Sequence, residues 1–187
     1  VSSTNAVGDT NWTRSFDTGG SESALAVERY GTGDYFIAGF KSFLGNFDGL
    51  VMKMDSTGAL VWTRVLGGSA HDQLFDVLAL SDGGCVAVGE TYNFGTNAPP
   101  RGNAWMIRYD SAGDTVWTRA IGDSAHDQRA AAIALATDGG FVLAGYEDHP
   151  LGNQDFLIIR TDSNGNEIWS KVFGGANDDA LLDVAVS

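Results

Sequence analysis

An all-β fold is predicted by three features of this 187-residue sequence. The first is an internal repeat marked by Trp12, Trp62, Trp117 and Trp169, at spacings of 50, 55 and 52 residues. The second is composition: 25 Gly against 3 Pro, in a chain rich in Val, Ile, Phe and Trp, which suits short strands joined by tight turns. The third is punctuation, with "DGG" and "DSTG", "DSAG" or "DSNG" recurring at fixed places in each repeat. Glycine supplies positive φ in such turns, and the Asp side chain caps them.

Taken in order, the chain opens on "TNWTRSF", the last strand of an earlier unit. Repeat units follow at about 17–66, 67–121 and 122–173, with a partial unit at 174–187. Each complete unit reads as four strands. In the second these are "LFDVLAL", "CVAVGETY", "NAWMIRYD" and "TVWTRAI". Gly39, Gly89 and Gly145 fall in one column, and Asp55, Asp110 and Asp162 in another. Strand alternation holds in the Trp strand, where Val61, Thr63 and Val65 share one face and Trp62 and Arg64 the other. The stretch "QRAAAIALA" (128–136) has high helix propensity, but its register with "ALAVERY" and "LFDVLAL" predicts a strand. Tandem four-strand units of about fifty residues predict a β-propeller of four-stranded antiparallel blades, three complete with a partial strand at each end. One such blade cannot bury both faces, so stacking on neighbours is required. The Trp column is expected to supply much of that contact. The missing blades are expected from a longer chain or from neighbouring copies.

A formal net charge of −13 argues against nucleic acid and against anionic membrane surfaces as partners. Seven of the 11 basic residues are locked into repeat columns: Arg14, Arg64, Arg119 and Lys171 beside the Trp, and Lys53, Arg108 and Arg160 on the third strand. They are expected to pair with the Asp columns or cover Trp faces. The single Cys85 rules out an internal disulfide and reads as a small core residue. No apolar run is long enough to span a bilayer. With neither initiator Met nor signal peptide, a processed or cut N-terminus is expected.

The loop after each Trp carries "GGSAHDQ" (67–73) and "GDSAHDQ" (122–128). Ten residues beyond each Trp stand Glu22, Asp72, Asp127 and Asp179, a carboxylate column expected to accept backbone N–H bonds. One residue earlier, His occurs only twice, as His71 and His126. A zinc site needs three or four converging ligands, and two His on adjacent blades are too far apart to supply them, so no metal site is expected. Nor does the chain show a catalytic motif. No cofactor is expected: "DSNGN" (162–166) reads as a plain turn, and weak calcium binding there is the alternative, which would need six or more oxygen ligands. The connections between second and third strands vary in length while the scaffold holds constant, which is where binding loops are expected. Phe43, Tyr92, Phe94 and His149 are the exposed-aromatic candidates there, with His71 and His126 beside them; that these aromatics instead tuck under their own loops is the slightly favoured alternative.

With these columns the chain resembles the Trp- and Gly-rich tandem propeller repeats of secreted and cell-surface bacterial and archaeal proteins. Their units run approximately W-x-K/R-x-x-G-G, an acidic residue, D-G-G, an apolar run with Gly, K/R-x-D-x-x-G and the next W. "WTRVLGGSAHDQLFDVLALSDGGCVAVGETYNFG" followed by "MIRYDSAGDTVW" matches nearly throughout, while the first unit has "TGD" in place of "DGG". The resemblance implies a non-enzymatic scaffold or binding module, extracellular or on the cell surface, with a protein or glycan partner. The alternative is a structural subunit of an extracellular filament or shell, joined through open blade edges. "DSTGALVW" also has a partial likeness to the Trp-docking repeats of quinoprotein dehydrogenases, a remote third reading.

Overall fold

The computed structural model describes residues 1–95, 101–123, 125–149 and 152–186. Every strand pairing in it is antiparallel, and no helix occurs among the described residues. A two-stranded ribbon, β1 (Ser2–Thr4) with β2 (Thr10–Thr13), precedes three four-stranded sheets. The first sheet is β3 (Ser21–Tyr30), β4 (Asp34–Phe43), β5 (Asn46–Met54) and β6 (Leu60–Leu66). The second is β7 (Asp72–Ala79), β8 (Cys85–Thr91), β9 (Asn103–Tyr109) and β10 (Thr115–Ile121). The third is β11 (Asp127–Leu135), β12 (Phe141–Asp148), β13 (Gln154–Thr161) and β14 (Glu167–Phe173). In each, the strands lie in chain order, the arrangement that short hairpin turns impose. The Ala-rich stretch is strand β11, because pairing with β12 and burial outweigh local helix propensity.

The glycine column has a steric cause. Each first strand carries a bulge, between Ala24 and Ala26, Leu74 and Asp76, and Ala130 and Ala132. A bulge bends its strand onto the partner. A Cβ on Gly39, Gly89 or Gly145 would stand 1.8, 1.8 or 1.9 Å from the carbonyl oxygen of Ser23, Gln73 or Arg129. No side chain fits there.

The sheets pack in series, with β7 against the first sheet and β11 against the second. Phe36, Ala38 and Val51 meet Leu74, Cys85, Ala87, Trp105 and Ile107 in one layer. Val86, Val88 and Met106 meet Phe141, Leu143 and Ile159 in the next. Alternate residues of β8 thus enter two different cores, and β8 and β9 are buried along their whole length.

The tryptophans tie each unit to the turn of the following one. Trp12 and Trp62 donate Nε1–H to the carbonyls of Ser56 and Ser111, both at 3.2 Å. Gly58, Gly113 and Gly165 have φ of +77°, +83° and +75°, and a Cβ on any of them would lie within 2.8 Å of the Trp12, Trp62 or Trp117 ring. Glycine here serves both the positive φ and the close approach of the indole. The neighbouring basic column completes the dock. Arg14 donates to Thr57 O, Arg64 to Gly113 O (2.7 Å) and Ala112 O, and Arg119 to the Asn166 side chain. Trp62 is 7% exposed, whereas Trp169, which meets no such turn among the described residues, is 41% exposed.

Two termini differ from the sequence expectation. The N-terminal residues form a complete hairpin rather than one strand. Asn5 Oδ1 accepts the Val7 and Asp9 amides as Asp55 Oδ1 accepts those of Thr57 and Ala59, so "NAVGD" is a further copy of the Asp–Gly turn with Asn in the capping place. At the other end, residues 174–186 form no strand. Asp179 and Leu181 donate amides to Gln154 O and Gly145 O, isolated bonds that do not make a ladder.

Candidate functional site

The loops at one end of the sheets hold the candidate residues. Phe43 and Leu44 form the exposed tip of the β4–β5 hairpin, at 59% and 92% exposure. Phe94 is half-buried rather than exposed. It lies under its own loop, stacked on Trp105 at 5.5 Å and 18°, because burying two aromatic faces outweighs solvation of the loop tip. Tyr92 is half-buried against Gly102. Burial, reinforced by the Glu90 charge, pushes its phenol up to about 12. His71 packs on Phe47, ring centroids 4.7 Å apart.

The carboxylate column acts on loops in the first two sheets. Glu22 accepts Thr18 N at 2.9 Å and the Thr18 hydroxyl at 2.6 Å. Asp72, fully buried, accepts Gly68 N (3.1 Å), Thr91 Oγ1 (2.5 Å) and Asn93 Nδ2 (2.6 Å). Burial raises the Asp72 carboxyl above the ordinary value, and these hydrogen bonds oppose the rise. In the third sheet the column shifts. Aligned on the glycines, the residue equivalent to Glu22 and Asp72 is Gln128, not Asp127, since Ala24, Leu74 and Ala130 all face their column glycine. Gln128 Oε1 accepts Asp123 N at 3.0 Å, the same loop-closing task. The loops before β7 and β11 are both five residues long (67–71 and 122–126), but β11 begins one residue earlier relative to its glycine, at Asp127, so Gln128 stands eleven residues beyond Trp117 where Asp72 stands ten beyond Trp62, which is why counting from Trp slips there. Asp127 instead accepts Gly102 N (2.6 Å) and Arg101 Nη1 (3.1 Å), reaching back to the second sheet. Asp179 contributes only its backbone amide, while Asp178 Oδ1 accepts Gln154 N at 3.2 Å.

That slip carries His126 away from the position of His71. His126 and His149 come together, ring centroids 4.7 Å apart, with Glu147 between them. Glu147 Oε1 lies 3.3 Å from His126 Nδ1 and 3.6 Å from His149 Nε2. Gln128 Nε2 donates to the other oxygen, Oε2. Asp123 Oδ2 stands 3.0 Å from His126 Nδ1, and Asp155 Oδ2 3.2 Å from His149 Nε2. Burial opposes ionisation of Asp123, but the His126 ring and the Ala125 and His126 amides prevail and hold its carboxyl below the usual range. Among the described residues this is the one group of three His, Cys, Asp or Glu side chains whose ligand atoms lie within 4.8 Å of one another. A cavity of about 340 Å³, lined partly by Asp123, Gln128 and Glu147, opens beside it. Glu147 and Asp155 were not singled out by the sequence. The available signal was "EDH": residues two apart on a strand share a face, so Glu147 and His149 project together.

Elsewhere the polar groups serve the fold. Asp162 Oδ1 accepts the Asn164 and Asn166 amides and Oδ2 the Asn166 side chain, so "DSNGN" uses its carboxylate as a turn cap. Burial pushes the Cys85 thiol up to about 12, which makes it unreactive. Arg129 grips Glu90 through two 2.8 Å bonds across the second and third sheets, its guanidinium 4.6 Å from the Phe75 ring.

No family model matches the chain. It is similar to the "Regulatory protein FlaEY" of Caulobacter vibrioides, at 26% identity over 166 residues. The match covers 76% of this chain and 17% of that protein, so the chain spans under a fifth of the relative's length.

Proposed function

We propose that the chain is a run of consecutive blades in a β-propeller that acts as a non-catalytic scaffold or binding module, outside the cell or on its surface. The observation that supports it most is the one-way docking of Trp12, Trp62 and Trp117 into the turns of the next sheet. A dock that always points forward makes each sheet the support of the one before, the logic of an array extended by adding units. The brief coverage of a much longer regulatory protein fits a module within a larger polypeptide. The extracellular setting rests on the likeness to Trp- and Gly-rich surface repeats. Phe43 and Leu44 are the proposed contact with a protein or glycan partner, because they are the large apolar side chains at the loop end left exposed by the packing.

The open side of the third sheet, with Ile168, Trp169 and Phe173 exposed, would be covered by a further blade or a neighbouring copy. Electron microscopy tests the arrangement directly. Discrete rings with sheets radiating from an axis are expected. A periodic polymer of this chain would instead favour the filament or shell subunit, and sheets stacked in a straight ladder would overturn the propeller.

A further inference from the structure

We propose that His126 Nδ1, Glu147 Oε1 and His149 Nε2 bind a divalent first-row transition ion, with Zn²⁺ the ion of choice. Zinc bonds to nitrogen and carboxylate oxygen are about 2.0–2.1 Å in tetrahedral sites, which puts neighbouring ligand atoms about 3.3 Å apart. The two edges on Glu147 are 3.3 and 3.6 Å. Two imidazoles and a carboxylate suit a borderline ion, whereas calcium and magnesium require six or more oxygens.

Three observations separate this cluster from an ordinary hydrogen-bond network. First, the loop it adjoins is already closed, because Gln128 meets the Asp123 amide. In the second sheet the equivalent corner is Asp72, Thr91, Asn93 and Asn103, held by a single carboxylate accepting from neutral groups. In the third sheet these places hold Gln128, Glu147, His149 and Asp155, and the extra residue between Trp117 and Gln128 brings His126 beside them. The added groups are ligand types the loop itself does not need. Second, His149 Nε2 is buried with no hydrogen-bond partner among the described residues, although two carboxylate oxygens lie at 3.2 and 3.6 Å. A buried ligand atom facing carboxylates without hydrogen-bond geometry is arranged for a cation between them. Third, the outer partners are in place. Gln128 orients Glu147 by donating to Oε2, as hydrogen-bond partners of a ligating carboxylate do in metal sites. The adjoining cavity gives solvent access and leaves room for a water on the fourth position. The ion would cross-link the loop before β11 to the end of β12, and it does not depend on ring closure.

Isothermal titration of the 187-residue chain with ZnCl₂ tests this, alongside Co²⁺ absorption spectra. One ion per chain is expected, with the visible d–d bands of a tetrahedral cobalt site. His149→Ala and His126→Ala should each weaken binding by more than the about 10–100-fold typical of losing an outer partner, and Gln128→Ala by about that amount. His149→Cys, which restores a ligand, should bind again, separating lost coordination from lost folding. His71→Ala should bind as the parent does. The proposal is overturned if the parent takes up no zinc. It is also overturned if His149→Ala, folded by circular dichroism, binds as tightly as the parent, which would mark the ion as held by the acidic surface.

Discussion

The second and third sheets have the same strand order, the same bulge and the same register on their glycine column, yet they differ sharply in burial. In the second, β8 and β9 are buried throughout. In the third, the equivalent β12 and β13 are buried only in part, and every residue of the outer strand β14 is exposed where β10 has four half-buried residues. The hydrogen-bond ladders are alike: Trp117 faces Arg108 and Trp169 faces Arg160. What differs is coverage, because the second sheet has a neighbour on each side. Pairing alone therefore does not complete such a sheet; its neighbour does, through the apolar layer and the Trp dock.

The largest expected difference lies in the Trp column. Trp62→Ala removes a 7% exposed indole and its dock, and should cost about 3–5 kcal/mol in urea unfolding. Trp169→Ala should cost about 0.5 kcal/mol, as at an exposed position. Equal losses would break the comparison. Next comes Gly113→Ala, which forces a Cβ at φ +83° and 2.7 Å from the Trp62 ring. About 1–3 kcal/mol is expected from overpacking, measured the same way. Gly139, with positive φ but nothing within 4 Å of the added Cβ, is the control that isolates the indole clash.

A smaller, pH-dependent effect is expected at Asp76, whose Oδ2 accepts the Ile133 amide across the second and third sheets at 3.0 Å. Burial raises this carboxyl, opposed by the Ile133 and Val77 amides. Its neutral form is the one the folded state favours. That stability is fully present below the unfolded value of about 3.8 and is lost as pH rises through the raised folded value. Asp76→Asn keeps an acceptor oxygen and removes the titration. The variant should lose less stability than the parent between about pH 4 and about pH 7, by about 1 kcal/mol or less. Parallel pH curves would contradict this reading of Asp76.

Much of the architecture was legible because repetition within one chain supplies its own alignment. The Trp, Gly and Asp–Gly columns reported strand pairing and turns, and register outweighed the helix propensity of the 128–136 stretch. The loops were less legible. One extra residue between Trp117 and Gln128 kept "SAHDQ" identical in sequence while moving His126 off the position of His71. A count from Trp cannot see such a slip, since only the pairing across the sheet shows it. The side taken by Phe94 was open for a related reason: nothing in a variable loop's composition tells whether its aromatic turns outward or stacks on Trp105. The histidine pair escaped notice because His126 and His149 are 23 positions apart and belong to different repeat columns.

The dependence of each sheet on the next is tested most directly by native-state amide exchange at equivalent places in β10 and β14. Trp117–Ala120 and Trp169–Val172 share the same outer place and the same kind of ladder. If coverage completes a sheet, amides in β10 exchange with the global unfolding of the second sheet, and those in β14 exchange far faster, by local opening. Equal protection in the two strands would mean that pairing alone suffices, and would contradict the account.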